Sequence, residues 1–368
     1  MNLFQAIVPE NRLHESFKLI MKDPNCAPIR EVIQAWGAGL IDRCGEQKKF
    51  VTEFQTTFNS SFWELYLNKA FSELGFNVDY TKASPDFCVT TVDGYQFNVE
   101  AVIADRPHGS LPAGTSQNSD DGKSENTLKL AGKIRDKLDI FTGIKGKKFP
   151  YSTLEHVQGK PFVIAIAPFN SDHSLMQNNE IINRVLFGID SPDLSTGNQK
   201  KVSSVSTPSG APVEMGIFTN DSYKQISAVF FSTTGTYGKA VVESGVKRLV
   251  WATRYREMSR EEFLAMEGVG NLGMNHHQIG PSNDLYTLRL DYGGRICGSD
   301  THLYDSCMHR ETHLDGLHVY YNPFAIIPFD PNIMHAGEIT HNFYNVEEDV
   351  PDQRHPDGAL VSRQLFGL

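Results

Sequence analysis

Three pieces of one stretch decide the reading: Phe62-Trp63-Glu64-Leu65-Tyr66-Leu67, then Pro85-Asp86-Phe87, then Phe97-Asn98-Val99-Glu100-Ala101-Val102. Phe62, Leu65, Leu67, Ala70, Phe71 and Leu74 recur at amphipathic spacing, which predicts a helix over 59–74 with Gly75 as its stop. Phe76 to Tyr80 reads as a short strand. Phe87 to Val92 predicts a strand, Asp93-Gly94 a two-residue turn, and Tyr95 to Ile103 the returning strand. That hairpin brings Asp86 close to Glu100, and a helix packed on the sheet adds Glu64. Glu100 lies in an otherwise apolar strand, where a carboxylate needs a partner. Clustered carboxylates repel one another unless a cation neutralises them. Hard oxygen ligands suit Mg²⁺ or Mn²⁺, which can activate water and stabilise charge on a phosphoryl group.

Pro85-Asp86, a spacer, then Glu100-Ala101-Val102 resembles the PD-(D/E)xK motif of restriction-endonuclease-like nucleases. The resemblance covers residues 50–250 at most and implies a mixed α/β sheet flanked by helices. It also implies that Asp86 and Glu100 bind a divalent metal, with Glu64 as the helix acid that joins them. The departure is Val102, where the pattern has Lys. A valine cannot stabilise a developing negative charge, so another residue must supply that charge, or activity is weakened or lost.

Ser124 to Phe141 reads as a helix with Leu128, Ala131, Ile134 and Leu138 on one face. Lys129, Lys133 and Lys137 recur every four residues beside it. They are either a solvated stripe pairing with Glu125, Asp136 and Asp139 or the source of the relocated lysine. Lys137 lies closest to the apolar face, Lys133 next. Lys145, Lys147 and Lys148 follow in a short loop, and with Lys129 they are candidates for contact with backbone phosphates. Between strand and helix, the loop 106–122 holds Arg106 and His108, within sequence reach of a scissile phosphate.

The remainder is organised around that core. Residues 1–58 read as a helical cap, with amphipathic runs at 11–21 and 29–41. Residues 59–255 form the expected core. Pro161 to Phe169 is a strand covered on both faces, 178–188 a helix, a polar insertion lies around 190–215, and Ile226 to Phe231 is a further buried strand. Residues 256–368 are expected to form a C-terminal extension docked on the core. It would contain a helix at 259–266, a glycine-rich loop at 268–280, strands at 285–290 and 318–321, and a mobile acidic segment at 345–358.

The formal net charge of −10 argues against indiscriminate coating of nucleic acid and requires an uneven charge distribution in a nuclease. Five scattered cysteines suggest a reducing compartment, with the cytoplasm as the default. No membrane span and no signal peptide are expected. Cys297, His302, Cys307, His309 and His313 offer a zinc alternative, but the Cys-to-Cys gap does not match the short paired spacing of structural zinc sites. No Gly-x-Ser-x-Gly elbow, phosphate-loop lysine motif or His-Glu-x-x-His occurs. Two classes remain. One is a metal-dependent nuclease acting on DNA before RNA, in which a homodimer would permit two cuts across a duplex. The other is an inactive nuclease-like core serving as a binding or scaffold protein.

Overall fold

The computed structural model describes residues 1–43, 45–104, 120–144, 149–169, 179–191, 199–258, 274–279, 283–290 and 296–367. The first helices are α1 (Glu15–Lys22), α2 (Ala27–Trp36), α3 (Gln47–Thr56) and α4 (Asn59–Glu73). α4 buries Phe62, Trp63, Leu65, Tyr66, Leu67, Ala70 and Phe71, the run that predicts it. Just past its end, Gly75 takes a left-handed φ of 72°, a conformation that glycine adopts without steric cost.

Three strands follow: β1 (Asn77–Val78), β2 (Phe87–Thr90) and β3 (Gln96–Ile103). The chain then forms α5 (Asp120–Thr142), β4 (Phe162–Ala167) and α6 (Glu180–Phe187). The expected polar insertion contains a small hairpin, β5 (Ser204–Ser206) with β6 (Pro212–Glu214). Next come β7 (Ala228–Ser232) and α7 (Tyr237–Glu243). α7 follows the loop 233–236. Thr236 caps it by accepting a hydrogen bond from the Gly238 N–H. The remaining strands are β8 (Leu249–Met258), β9 (Met274–Ile279), β10 (Asn283–Leu290), β11 (Ile296–Asp305), β12 (Leu317–Tyr321), β13 (Thr340–Asn345), β14 (Val350–Arg354) and β15 (Leu360–Phe366).

The fold is mixed α/β, with a large mixed sheet flanked by helices. Its strand order is β1-β2-β3-β4-β7-β12-β13-β14. β3, β4 and β7 run parallel, β1-β2-β3 and β7-β12 are antiparallel, and β13 lies parallel to β12. All six residues of β4 are buried. On one face, Val99, Ile103, Val163 and Ala165 pack with α2, α3 and α4. On the other, Val102, Phe162, Ile164 and Ile166 pack with Leu130, Ala131 and Ile134 of α5 and with α6. A fully apolar strand is what covering on both sides demands.

Several expectations change. The 87–103 hairpin, expected at the centre of the sheet, lies towards one end, and β4 and β7 occupy the middle. Residues 256–368 are more than a docked extension, because β12, β13 and β14 extend the main sheet. β15 turns back to pair with β8 in a second sheet of order β15-β8-β11-β10-β9. The segment 345–358 is not a free loop, since β14 pairs with β13 through its centre. Residues 274–279, expected in a glycine-rich loop, form β9 against β10. The expected helix at 259–266 lies outside the described residues.

Candidate metal and phosphodiester site

The geometry of the candidate site starts from the hairpin turn. β2 pairs β3 with Phe87 opposite Val99 and Thr90 opposite Gln96. Thr91 N–H donates to the Tyr95 carbonyl, and Gly94 N–H donates to the Thr91 carbonyl. The loop is therefore Val92-Asp93-Gly94, one residue longer than a two-residue turn, with Gly94 at a φ of 83°. The extra residue matters because strand side chains alternate between faces. A two-residue loop would set Asp86 opposite Ala101 and so on the other face from Glu100. With three residues, the register carried one step beyond Phe87 sets Asp86 beside Glu100, on the face that α5 covers. The Ala101 N–H donates to Asp86 Oδ2 at 2.8 Å.

Glu100 is buried at 3% exposure. Lys137, on α5, donates from Nζ to Glu100 Oε1 at 2.6 Å. The hydroxyl of Tyr151 donates to the same oxygen at 3.3 Å. Glu100 Oε2 is buried without a hydrogen-bond partner. Val102 shares the Glu100 face two residues on, and is buried against the apolar part of α5. The positive charge thus reaches Glu100 from the last turns of the helix that covers this face, and not from the strand itself.

Glu64 sits on α4, on the other side of the sheet from α5, and shares no hydrogen bond with Asp86 or Glu100 among the described residues. It is linked to them through the field. Burial first, then the Asp86 charge, raise its carboxyl well above the usual range, with Glu53 and Glu100 adding to the effect and Arg43 opposing it. Burial and then Glu100 push Asp86 up to about 7, against Lys137, the Ala101 N–H and Arg43. For Lys137, burial disfavours the ammonium, but Glu100, Asp86 and Glu64 outweigh it and hold the group above the ordinary lysine range.

Of the other candidate residues, Lys129 pairs with Glu125 at 2.5 Å on the surface of α5, as the solvated-stripe reading expects. Lys133 is half-buried on the same helix. Lys145, Lys147, Lys148, Arg106 and His108 lie outside the described residues.

Three residues around the site carry no signal in the sequence: Tyr151, Arg43 and His156. Tyr151 opens a short 3-10 turn, Tyr151–Thr153, between α5 and β4, in a segment with no periodicity to mark it. Arg43 donates to the backbone carbonyl of Asp86 and lies over the rings of Tyr80 and Phe87 at 5.8 and 6.0 Å. It holds the corner from which Asp86 projects, from within the N-terminal helical region. His156 supports the same corner, with Nε2 at 2.7 Å from the Ser84 carbonyl. Arg43 lies 43 positions from Asp86 and Tyr151 lies 51 from Glu100, so no local pattern links them to the acidic residues.

The zinc alternative gains no support from the geometry. His313 sits between Glu73 (Nδ1 to Oε1, 2.5 Å) and Glu243 (Nε2 to Oε2, 3.0 Å). His309 meets the Tyr304 hydroxyl at 2.9 Å and lies 3.4 Å from Glu311. Cys307 is exposed. Among the described residues no group of three or more His, Cys, Asp or Glu side chains is gathered to hold a metal ion. The acidic site nonetheless fits a hard divalent cation in kind. Its donors are carboxylate oxygens, one of them, Glu100 Oε2, is buried and unpartnered, and burial, then the neighbouring acids, raises the carboxyls of Glu64 and Asp86.

Comparison of the chain with protein-family models, with curated proteins and with solved structures finds no match. No helix among the described residues is long and apolar enough to cross a membrane.

Proposed function

We propose that this chain is a divalent-metal-dependent nuclease that hydrolyses phosphodiester bonds in DNA on a restriction-endonuclease-like core. The observation that carries the reading is the convergence of Asp86, Glu100 and Lys137 on one face of the hairpin. Mg²⁺ or Mn²⁺ would be held by Asp86 and Glu100, with Glu64 nearby, and when bound would supply Lewis acidity towards the phosphoryl oxygens and the attacking water. Lys137 is the charge that the Val102 position lacks. A cation placed there stabilises negative charge as it develops on the phosphoryl group more than it stabilises the substrate. α5 and the apolar residues around Val102 shield the buried oxygen of Glu100 from bulk water, which strengthens these interactions.

The test is calorimetric titration with Mn²⁺, paired with cleavage of supercoiled DNA in Mg²⁺ or Mn²⁺. The parent chain should bind the ion and cut, and Asp86→Ala should do neither. Full cleavage by Asp86→Ala would reject the site. One observation favours the second reading, an inactive nuclease-like binding protein: Lys137 is closed onto Glu100 in a buried pair. That reading expects metal or DNA binding without hydrolysis of any nucleic acid.

A further inference from the structure

Glu100 is the most buried acid of the site, and its two oxygens have different surroundings. Oε1 accepts from Lys137 at 2.6 Å and from Tyr151 at 3.3 Å. Oε2 is buried and accepts from nothing. A carboxylate in an apolar strand would otherwise be free to rotate about its last bond and exchange the two oxygens. Two donors on one oxygen remove that freedom.

The Tyr151 ring is fixed by its surroundings. It is buried and packs edge-on to Phe162 of β4, with centroids 6.5 Å apart. Phe162 is in turn stacked by Phe141 of α5 at 4.4 Å. The Pro150 carbonyl accepts the Thr153 N–H at 3.0 Å and closes the turn that carries the tyrosine. The phenol therefore approaches Glu100 from a rigid platform, unlike the flexible lysine beside it.

We propose that Tyr151 is a positioning residue that pins Glu100 Oε1 together with Lys137, so that Oε2 is the oxygen presented to the divalent cation. The inference rests on the proposed metal-dependent nuclease reading and assigns a residue that the acidic motif does not contain. A phenol carries its proton at neutral pH and reaches Glu100 Oε1 with its O–H, so it acts as a donor. Hydrogen bonds of this kind to a metal-ligating carboxylate orient it, and their loss typically costs about 10–100-fold in metal affinity or activity.

The experiment compares the parent chain, Tyr151→Phe and Phe141→Leu. Tyr151→Phe removes only the hydroxyl. Phe141→Leu disturbs the packing of the same platform and leaves the hydroxyl in place. Mn²⁺ affinity is measured by calorimetry, and single-turnover DNA cleavage is measured across a Mn²⁺ titration. Tyr151→Phe should weaken Mn²⁺ binding by about tenfold or more and recover most of the parental rate at saturating Mn²⁺. Phe141→Leu, which reaches the tyrosine only through Phe162, should weaken Mn²⁺ binding clearly less than Tyr151→Phe. Equal weakening in both variants would reduce Tyr151 to packing and overturn the proposal. So would parental affinity in Tyr151→Phe, with the nuclease reading left standing. A parent chain that binds no Mn²⁺ and cuts no DNA would overturn both. Should Tyr151→Phe not fold, Tyr151→Trp, which keeps an aromatic platform but moves its donor, should show the same loss of affinity, and parental Mn²⁺ binding by it would again overturn the proposal.

Discussion

Lys137 Nζ stands 2.6 Å from Glu100 Oε1 although the two residues are 37 positions apart and belong to different layers. The pair joins the last turns of α5 to the strand that carries the acidic site. Its Glu100 side is 4% exposed and its Lys137 side 21%. Lys137→Met is expected to lower the saturated single-turnover rate on DNA by ~10²–10⁴-fold, the order associated with one electrostatic or proton-transfer group. Lys133→Met, which removes a lysine one turn away, should leave that rate close to the parent's. If both variants cleave at the parental rate when saturated, the relocated-lysine role is wrong.

The same pair has a consequence for stability. Removing one partner leaves the other as an uncompensated buried charge, at a cost of roughly 3–5 kcal/mol for a fully buried pair and less here, because Lys137 is partly solvated. Denaturant unfolding of Lys137→Met without divalent ions should therefore show a lower midpoint than the parent. Mn²⁺ should narrow the gap, since a cation on Glu100 replaces part of the lost charge.

Asp86 gives a pH dependence of unusual sign. Its folded-state pKa, near 7, is above the ordinary aspartate value of about 3.9. The folded state therefore binds the proton more tightly than the unfolded chain does. Its contribution to stability is complete below about pH 4 and is lost as pH rises towards 7. Asp86→Asn keeps an acceptor for the Ala101 N–H and removes the charge. Its melting temperature should match the parent's near pH 4 and exceed it at pH 8. Mg²⁺ or Mn²⁺ should raise the parent's melting temperature at pH 8 and leave that of Asp86→Asn unchanged. A variant less stable than the parent at pH 8 would show that burial of the Asp86 charge beside Glu100 does not destabilise the fold there.

His313 predicts the opposite kind of group with a similar pH trend. Burial disfavours its charged form, but Glu243 and Glu73 outweigh burial and raise its pKa. Trp36 Nε1 donates to Glu243 Oε2 at 2.7 Å, and Lys69 lies 3.7 Å from both Glu73 and Glu243. The protonated ring thus ties α4 to α7 beside α2. A raised histidine pKa contributes stability that is full below the unfolded value of about 6.5 and is lost as pH rises through the folded value. His313→Gln should be clearly less stable than the parent at pH 6, with the difference shrinking above neutrality. An imidazole titration followed by NMR should place the parent's His313 above an exposed histidine, and an ordinary midpoint would refute the tie.

Gly235 tests the packing between α4 and the loop after β7. A Cβ there would stand 2.7 Å from Tyr66 Cε1 and 2.9 Å from Trp63 Cζ3. Both rings are fully buried and stacked on each other at 5.1 Å. They cannot move aside, so Gly235→Ala is expected to destabilise by about 1–3 kcal/mol, the usual cost of overpacking. Thermal unfolding measures it directly, and an unchanged melting temperature would mean that the rings can shift.

The sequence by itself determined the local elements of the core. α4, the hairpin strands and α5 are marked by the spacing of their apolar residues, and the doubly covered β4 by an unbroken apolar run, because burial imposes on neighbouring residues a pattern that the chain must show. It also determined that Asp86 and Glu100 would bracket a short hairpin, and that Lys137 lay nearest the apolar side of its helix. Only the tertiary structure decided the rest. Turn length selects the face on which Asp86 falls, and Asp93-Gly94 is compatible with loops of two or three residues. Tyr151 and Arg43 reach Asp86 and Glu100 from segments whose own patterns point nowhere. β12 joins β7, and β15 joins β8, through partners about a hundred residues away. Such pairings depend on which apolar surfaces and unpaired strand edges meet when the chain collapses, and no local run of residues encodes that meeting.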